Sequence, residues 1–244
     1  MDGNGRWAQK RGLIRTQGHY EGLKAAKRIV KAASDLGIKY LSLFAFSTEN
    51  WRRTPTEVGF IMGLVKQYLK AELEFYRDNN IRIRYTGDIT GLPGEIVNEL
   101  ESAMEETKNF IGMQVILAIN YGGRDEIVRA VRKFAASENS MTDKDTGIIK
   151  NISEQDINAC LDNPDVPDPD LIIRSSGEYR ISNFLVWEAA YAEWYFSDKL
   201  WPDWEEEDLV RALSDFQGRK RRFGGALNEA EGRSFQSTLP PDAG

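Results

Sequence analysis

The apolar positions of this 244-residue chain switch repeatedly between a helical and an extended period. Over residues 18–36, Leu23, Ala26, Ile29, Val30, Ala33 and Leu36 share one face of a 3.6-residue period, which predicts a helix stopped by Gly37. Residues 38–46 are mostly apolar, as in a strand covered on both faces. Thr54 is a good N-cap and Pro55 suits the first helical position, so a long helix is expected over residues 55–80. Residues 81–85 alternate like a strand, 93–110 read as a helix, and 113–119 as a second buried strand. Gly122-Gly123 then turns the chain into a helix reaching about residue 136. Beyond a polar loop at 137–147, a short helix capped by Ser153 is expected over 153–161, followed by a stiff proline-rich connector at 163–169. A strand at 171–174, a further short strand around Tyr195-Phe196 and a last helix over 205–218 complete the series. From Asn228 the chain is polar and ends in Pro-Pro-Asp-Ala-Gly, the composition of a frayed tail.

Strands alternating with helices, with no internal repeat and no long linker, predict one α/β domain with a mostly parallel central sheet flanked by helices. The expected boundaries are a domain over residues 1–225 and a flexible C-terminal tail over 226–244. Composition changes this picture little: 41% hydrophobic and 29% charged residues are ordinary for a globular chain. A domain of this size can build a sizeable core and still keep a cavity. Charge changes it more. A net charge of −6 argues against a general nucleic-acid binder and requires any cationic site to be a local cluster on an acidic background. The single cysteine, Cys160, excludes an internal disulfide, fits a reducing compartment, and has no base or metal partner near it in sequence. No window reaches the ~18 apolar residues of a membrane span, and the start MDGNGRW has no signal-peptide core. The expected location is the cytoplasm, with peripheral contact at a membrane surface left open.

Candidate chemistry gathers in five segments where polar residues and glycines interrupt the ends of apolar runs, the place where parallel sheets bind ligands. In Met1-Asp2-Gly3-Asn4-Gly5-Arg6-Trp7, two glycines allow backbone N–H groups close to an anion and Arg6 can grip phosphate oxygens. Asp2 adds a hard oxygen suited to Mg²⁺. The same residues would equally make a plain turn, and the Gly-Lys-Ser/Thr ending of a Walker loop is absent. The second segment sets Arg15 and His19, the only histidine, at the start of the first long helix, where an anion is favoured. His19 could donate to a phosphate or leaving group, or simply cap the helix. The third, Phe46-Ser47-Thr48-Glu49-Asn50-Trp51-Arg52-Arg53 with Glu57 beyond it, mixes hydrogen-bonding, aromatic and cationic side chains as a lid over a substrate would.

The fourth segment, residues 170–184, follows a buried strand with two arginines and several hydroxyls, a suitable cradle for a second diphosphate. The fifth, residues 187–196, holds Glu193 in an aromatic setting where a carboxylate is usually paired or on a metal. The helix expected from Pro55 has a broad apolar face (Val58, Phe60, Ile61, Met62, Leu64, Val65, Tyr68, Leu69), enough to pack on the sheet and also to line an apolar tunnel.

Taken in order, Asp2-Gly3-Asn4-Gly5-Arg6-Trp7, Gly18-His19, Phe46-Ser47-Thr48-Glu49-Asn50-Trp51, Asn120-Tyr121-Gly122-Gly123-Arg124, Arg174 with Arg180-Ile181-Ser182-Asn183-Phe184, and Arg221-Arg222-Phe223-Gly224-Gly225 resemble the cis-prenyltransferases from residue 1 to about 225. The resemblance implies repeated cis condensation of isopentenyl diphosphate onto an allylic diphosphate, typically farnesyl diphosphate, with Mg²⁺ assisting departure of pyrophosphate. The implied product is a long-chain polyprenyl diphosphate, undecaprenyl diphosphate for the cell-wall lipid carrier, released to the membrane by a homodimer. It makes Asp2 the central catalytic carboxylate and a metal ligand. Gly3, Asn4, Gly5, Arg6, Trp7 and Arg15 would hold the allylic diphosphate, with His19 aiding its departure. Ser47, Glu49, Asn50, Trp51, Arg53 and Glu57 would organise the second substrate, with Asn50 among the catalytic residues. Arg174, Arg180 and Ser182 would bind isopentenyl diphosphate. Glu193 would be a second metal-linked carboxylate, in its own subunit or across a dimer interface, and Arg222-Phe223-Gly224 would complete a neighbouring subunit's site. The family pattern places a strand before Asp2, so a few residues are expected to precede this sequence.

A non-catalytic subunit of the same fold should have lost Asp2 or the arginine cradle, and both are present. A nucleotide or sugar-phosphate enzyme should show a glycine pattern that is missing. A trans-prenyltransferase should carry Asp-Asp-x-x-Asp motifs, and none occurs.

Overall fold

The computed structural model describes residues 1–137 and 152–219. The tail at 226–244, the Arg221-Arg222-Phe223-Gly224-Gly225 element and most of the 137–147 loop lie outside the described residues. At the centre is β3 (Gln114–Tyr121), almost wholly buried because its run is apolar on both faces. It is flanked in parallel by β1 (Tyr40–Ser47) and β2 (Arg82–Thr86), with Tyr40 and Arg82 both opposite Gln114. A second parallel pair joins β4 (Leu171–Arg174) to β5 (Glu193–Phe196), with Leu171 opposite Glu193 and Arg174 opposite Phe196. The expected parallel α/β architecture is present, with the described strands divided between these two sheets. A cavity of about 2460 Å³ is lined by residues 38–45, which include most of β1, and by residues 169–175 around β4.

The main core lies between the three-stranded sheet and α2 (Arg15–Asp35), α3 (Pro55–Ala71) and α5 (Gly94–Thr107). Phe46, Ile83, Ile96, Leu100 and Val30 are at most 1% exposed there. Each such side chain contributes roughly 1.5–3 kcal/mol relative to leaving it in water. On the other side, α6 (Gly123–Ala136) and α7 (Glu154–Asn158) close a smaller cluster of Ala130, Ile157 and Leu161. The last described helix, α8 (Glu206–Gln217), buries Leu209 and Ala212.

Three expectations change. The opening segment is not a loop after Gly3: residues Asn4–Lys10 form a helix, α1, launched by Gly3 in the left-handed conformation (φ 95°). This helix lies directly against α2, and the contact explains two glycines. A Cβ at Gly18 would sit 2.0 Å from the Asn4 carbonyl oxygen, and one at Gly22 would sit 2.5 Å from Asn4 Oδ1. Accordingly α2 begins at Arg15, three residues earlier than its apolar stripe implied. The helix expected over 55–80 is two: α3 ends at Ala71 and α4 (Leu73–Asp78) restarts after Glu72. No glycine or proline marks the break. It turns Tyr76 fully inward, edge-on to the buried Tyr68, with ring centroids 6.2 Å apart. Finally, β5 begins at Glu193, two residues before the expected pair. The broad face of α3 mostly serves the core: Ile61, Met62, Tyr68 and Leu69 are buried, and the cavity meets this helix at Ile61.

Candidate active site

The cavity between β1 and β4 is lined by Asp2, Asn4, His19, Ser47, Glu49, Asn50, Arg53, Arg174 and Ser182. Nine side chains singled out in four separate stretches of sequence thus border one large cavity.

Asp2 is fixed by the end of β4. Arg174 Nη2 donates to its Oδ2 (3.0 Å) and the Gly3 N–H to its Oδ1 (2.8 Å). Ser175 and Ser176 hydroxyls donate to its backbone oxygen. Burial pushes the Asp2 carboxyl up, but the Arg174 hydrogen bond and the Gly3 N–H outweigh it, so the group lies below its ordinary value and is ionised at neutral pH. Arg174 spans the site: its Nη1 donates to Ser182 Oγ (2.8 Å) and to the Arg180 carbonyl. Arg6 donates to the Ser176 carbonyl (3.0 Å) and pairs with Glu178 (2.9 Å). Arg180 also pairs with Glu178 and keeps 61% of its side-chain area exposed, free to turn to an anion. Ser176, Ser182, Asn183 and Leu185 all have positive φ. Such a concentration of costly backbone in one segment is typical of ligand-binding turns.

A second cationic group gathers on Glu57, in the first turn of α3. Its Oε1 meets Arg53 Nη1 (2.7 Å), His19 Nε2 (3.1 Å) and Arg15 Nη2 (3.6 Å). Arg15 and His19 stand one turn apart on α2, whose first turn has neither a side-chain cap nor an acid. Arg15 is 66% exposed. Burial draws His19 below its ordinary value; the Glu57 hydrogen bond opposes this and the Arg53 charge adds to it, so the imidazole is neutral at pH 7. Glu57 lies below its usual range because His19 and Arg53 more than offset its burial.

Residues 47–53 bridge the two groups. Ser47 and Asn50 form a capping box on a 3-10 turn, with the Ser47 N–H donating to Asn50 Oδ1 (3.2 Å). This points both into the cavity with Glu49 and Arg53.

Three sequence candidates face elsewhere. Trp7 donates to Asp203 (2.6 Å) and lies under the Arg11 guanidinium, which explains its position by packing. Trp51 rests on Phe46 and donates to Asn120 (2.7 Å). Glu193 is held by Arg219 (2.9 Å). It opens β5, three residues before the Phe196 that faces Arg174, so it lies roughly 10 Å up the strand from the end where Asp2 sits. One chain does not bring Glu193 to Asp2, and no group of three or more potential ligands occurs among the described residues. No helix among them is long and apolar enough to cross a membrane.

Sequence reading missed a buried acidic pair on the cavity wall. Glu126 is 2% exposed, accepts from the Tyr121 hydroxyl and from the Asp162 N–H (3.1 Å), and is raised by its burial. Glu188, with a buried oxygen lacking a hydrogen-bond partner, is pushed up to about 8 by burial and then by the Glu126 charge. Nothing in the sequence signals that residues 62 apart would meet.

A family model described as putative undecaprenyl diphosphate synthase (Prenyltransf) matches residues 1–224. The isoprenyl transferase of Treponema denticola is 53% identical over 226 residues, covering 93% of this chain and 95% of that one. That of Thermotoga maritima is 47% identical over 228 residues, covering 93% and 95%. Among solved structures, lavandulyl diphosphate synthase from Lavandula x intermedia, in complex with dimethylallyl diphosphate, superposes with a TM-score of 0.85 at 36% identity, covering 92% and 95%. A probable undecaprenyl diphosphate synthase from Campylobacter jejuni gives 0.74 at 35% identity, covering 84% and 92%. With its two cationic groups on one cavity and a match running through every motif up to residue 224, this chain belongs to the undecaprenyl diphosphate synthase family of isoprenyl transferases.

Proposed function

We propose that the protein condenses isopentenyl diphosphate repeatedly onto an allylic diphosphate, farnesyl diphosphate, to make undecaprenyl diphosphate for a cell-wall lipid carrier. The observation that carries this reading is the ionised Asp2, tied to Arg174, on a cavity that Arg53 and His19 of a second cationic group also line, since two anionic substrates need more cationic side chains than one group supplies. Arg6, Arg15 and the Gly3–Gly5 backbone hold the allylic diphosphate; Arg174, Arg180 and Ser182 hold the second substrate. His19, close to Arg15, gives its one N–H to Glu57 here, and would support the leaving diphosphate by turning that N–H to it. Ser47, Asn50 and Arg53 orient the second substrate from the bridging turn.

The donor set fits Mg²⁺: Asp2 is ionised, 39% of its side chain is exposed, and one carboxylate plus substrate phosphate oxygens is an arrangement this ion accepts. Mg²⁺ held there would neutralise charge building on the diphosphate oxygens. Glu193, held by Arg219 at the other end of β5 from Asp2, would reach such an ion as a contribution to a second copy, which makes a homodimer part of the proposal. The product leaves to a membrane surface that the cytoplasmic protein touches from outside.

The likeness to lavandulyl diphosphate synthase favours a second reading, a shorter product from the same fold. Purified full-length protein, farnesyl diphosphate, radiolabelled isopentenyl diphosphate and Mg²⁺, followed by chain-length separation, distinguish the two. Long-chain product that disappears with EDTA and in Asp2→Ala is expected. No labelled product, or Asp2→Ala matching wild type, sinks the assignment.

A further inference from the structure

Asn120 (φ 50°), at the end of β3, and Asn183 (φ 64°), after the Arg174–Ser182 bridge, both hold left-handed backbone beside the bridging turn. Asparagine tolerates this conformation better than most residues, and a side chain kept there deserves a use. Both side chains are fully engaged, and both reach the bridging turn at 47–53. Asn120 Oδ1 accepts from Trp51 Nε1 (2.7 Å), while its Nδ2 donates to the Asp88 carbonyl (2.7 Å) and its own carbonyl accepts from the Asp88 N–H (3.1 Å). Asn183 Nδ2 donates to Glu49 Oε1 (3.0 Å), while its Oδ1 and carbonyl accept from the Arg124 and Gly123 N–H groups (2.9 and 2.8 Å). Asn183 and the bridging turn meet over Gly122, where a Cβ would come within 2.7 Å of both Asn183 Nδ2 and Thr48 Oγ1. The bridging turn is therefore tied at two points, Trp51 and Glu49, to the end of the central strand and to the loop carrying Ser182.

We propose that Asn120 and Asn183 are positioning residues: as a two-point clamp on Glu49 and Trp51 they set Ser47, Asn50 and Arg53 opposite Arg174 and Ser182. The inference rests on the proposed function for what those five residues bind, and on the hydrogen bonds alone for the clamp. Neither asparagine touches substrate in this scheme. Each acts on the spacing between the turn and the second-substrate cradle, and touches the Arg15 side only through the Arg53–Glu57 pair.

Asn120→Gly and Asn183→Gly test it, because glycine keeps the left-handed backbone and removes only the side chain. Each is expected to raise KM for isopentenyl diphosphate roughly tenfold, the size of one positioning hydrogen bond, with KM for the allylic primer changed less than about twofold. Combining Asn120→Gly with Trp51→Phe should be no worse than the more damaging single change, since both cut the same bond. Folded variants with wild-type KM, equal effects on both substrates, or additive effects in the double variant would overturn the clamp. A readout independent of turnover is ¹⁹F NMR of 5-fluorotryptophan-labelled full-length protein, whose six tryptophans give resonances that Trp51→Phe assigns. Asn120→Gly should move the Trp51 resonance. An unmoved resonance refutes the clamp, whereas wild-type protein that makes no prenyl product refutes the proposed function and leaves the clamp to this measurement.

Discussion

Replacing Glu188 with glutamine should stabilise the protein, and the structure gives the size. The Glu188 carboxyl is pushed from an ordinary 4.5 to about 8 by burial and by the Glu126 charge beside it. At pH 7 the folded state therefore keeps a proton that the unfolded chain has released. That retention costs on the order of 3 kcal/mol, about 1.4 kcal/mol for each of the pH units separating 4.5 from 7. For the sign, a group whose folded value is raised gives stability that is fully present below about 4.5 and is lost as pH rises from there through about 8. Glutamine keeps the shape, carries no charge at any pH, and can donate its amide N–H to Glu126. Glu188→Gln should thus remove the slope, matching wild type near pH 4.5 and exceeding it by up to ~3 kcal/mol at pH 7, or roughly 6–12 °C in Tm. Thermal unfolding of both proteins by circular dichroism between pH 4.5 and 9 reads the difference curve. A variant that tracks wild type in parallel across that range, or melts lower at pH 7, refutes the idea that Glu188 is buried as a neutral acid.

Arg174→Ala should lower kcat/KM by roughly 10²-fold or more, because it frees Asp2 and Ser182 together; loss confined to less than threefold would show that Arg174 is only a structural tie. Gly18→Ala places a Cβ 2.0 Å from the Asn4 carbonyl, which is backbone and cannot step aside. It should destabilise by about 1–3 kcal/mol and displace α1 from the site, and an unchanged denaturation midpoint would contradict the packing described. His19, as the sole histidine, gives one pair of imidazole C–H signals to titrate by ¹H NMR. Its apparent pKa should lie below the ordinary 6.5, and Glu57→Gln, which removes the group that raises it, should draw it lower still; a value above 6.5, or a rise in the variant, counts against the electrostatics given for the Arg15–Glu57 group.

Much of this was legible because it is local. The apolar run at 113–119 reads as a strand buried on both faces, and β3 is one. Thr54-Pro55 fixed the start of α3, where Thr54 accepts from the Glu57 N–H. Segments rich in glycine, arginine and hydroxyls at strand ends were expected to bind ligand, and nine of their side chains line the cavity. What was illegible depends on contacts distant in sequence. The helix at Asn4–Lys10 is short and exists against α2, where two glycines make room for it. The break at Glu72 carries no local stop signal and follows from burying Tyr76.

The sequence by itself determined the alternation of parallel strands and helices, the family and the identity of the charged groups, because period, capping and motif order are properties of neighbouring residues. Only the tertiary structure decided which charges meet. It joined Arg174 to Asp2 across 172 positions, gathered Arg15, His19 and Arg53 on Glu57, turned Trp7 and Glu193 to other partners, and buried Glu126 with Glu188. The physical reason is that a pairing energy exists only at a few ångströms, and that distance is set by how the strands and helices stack.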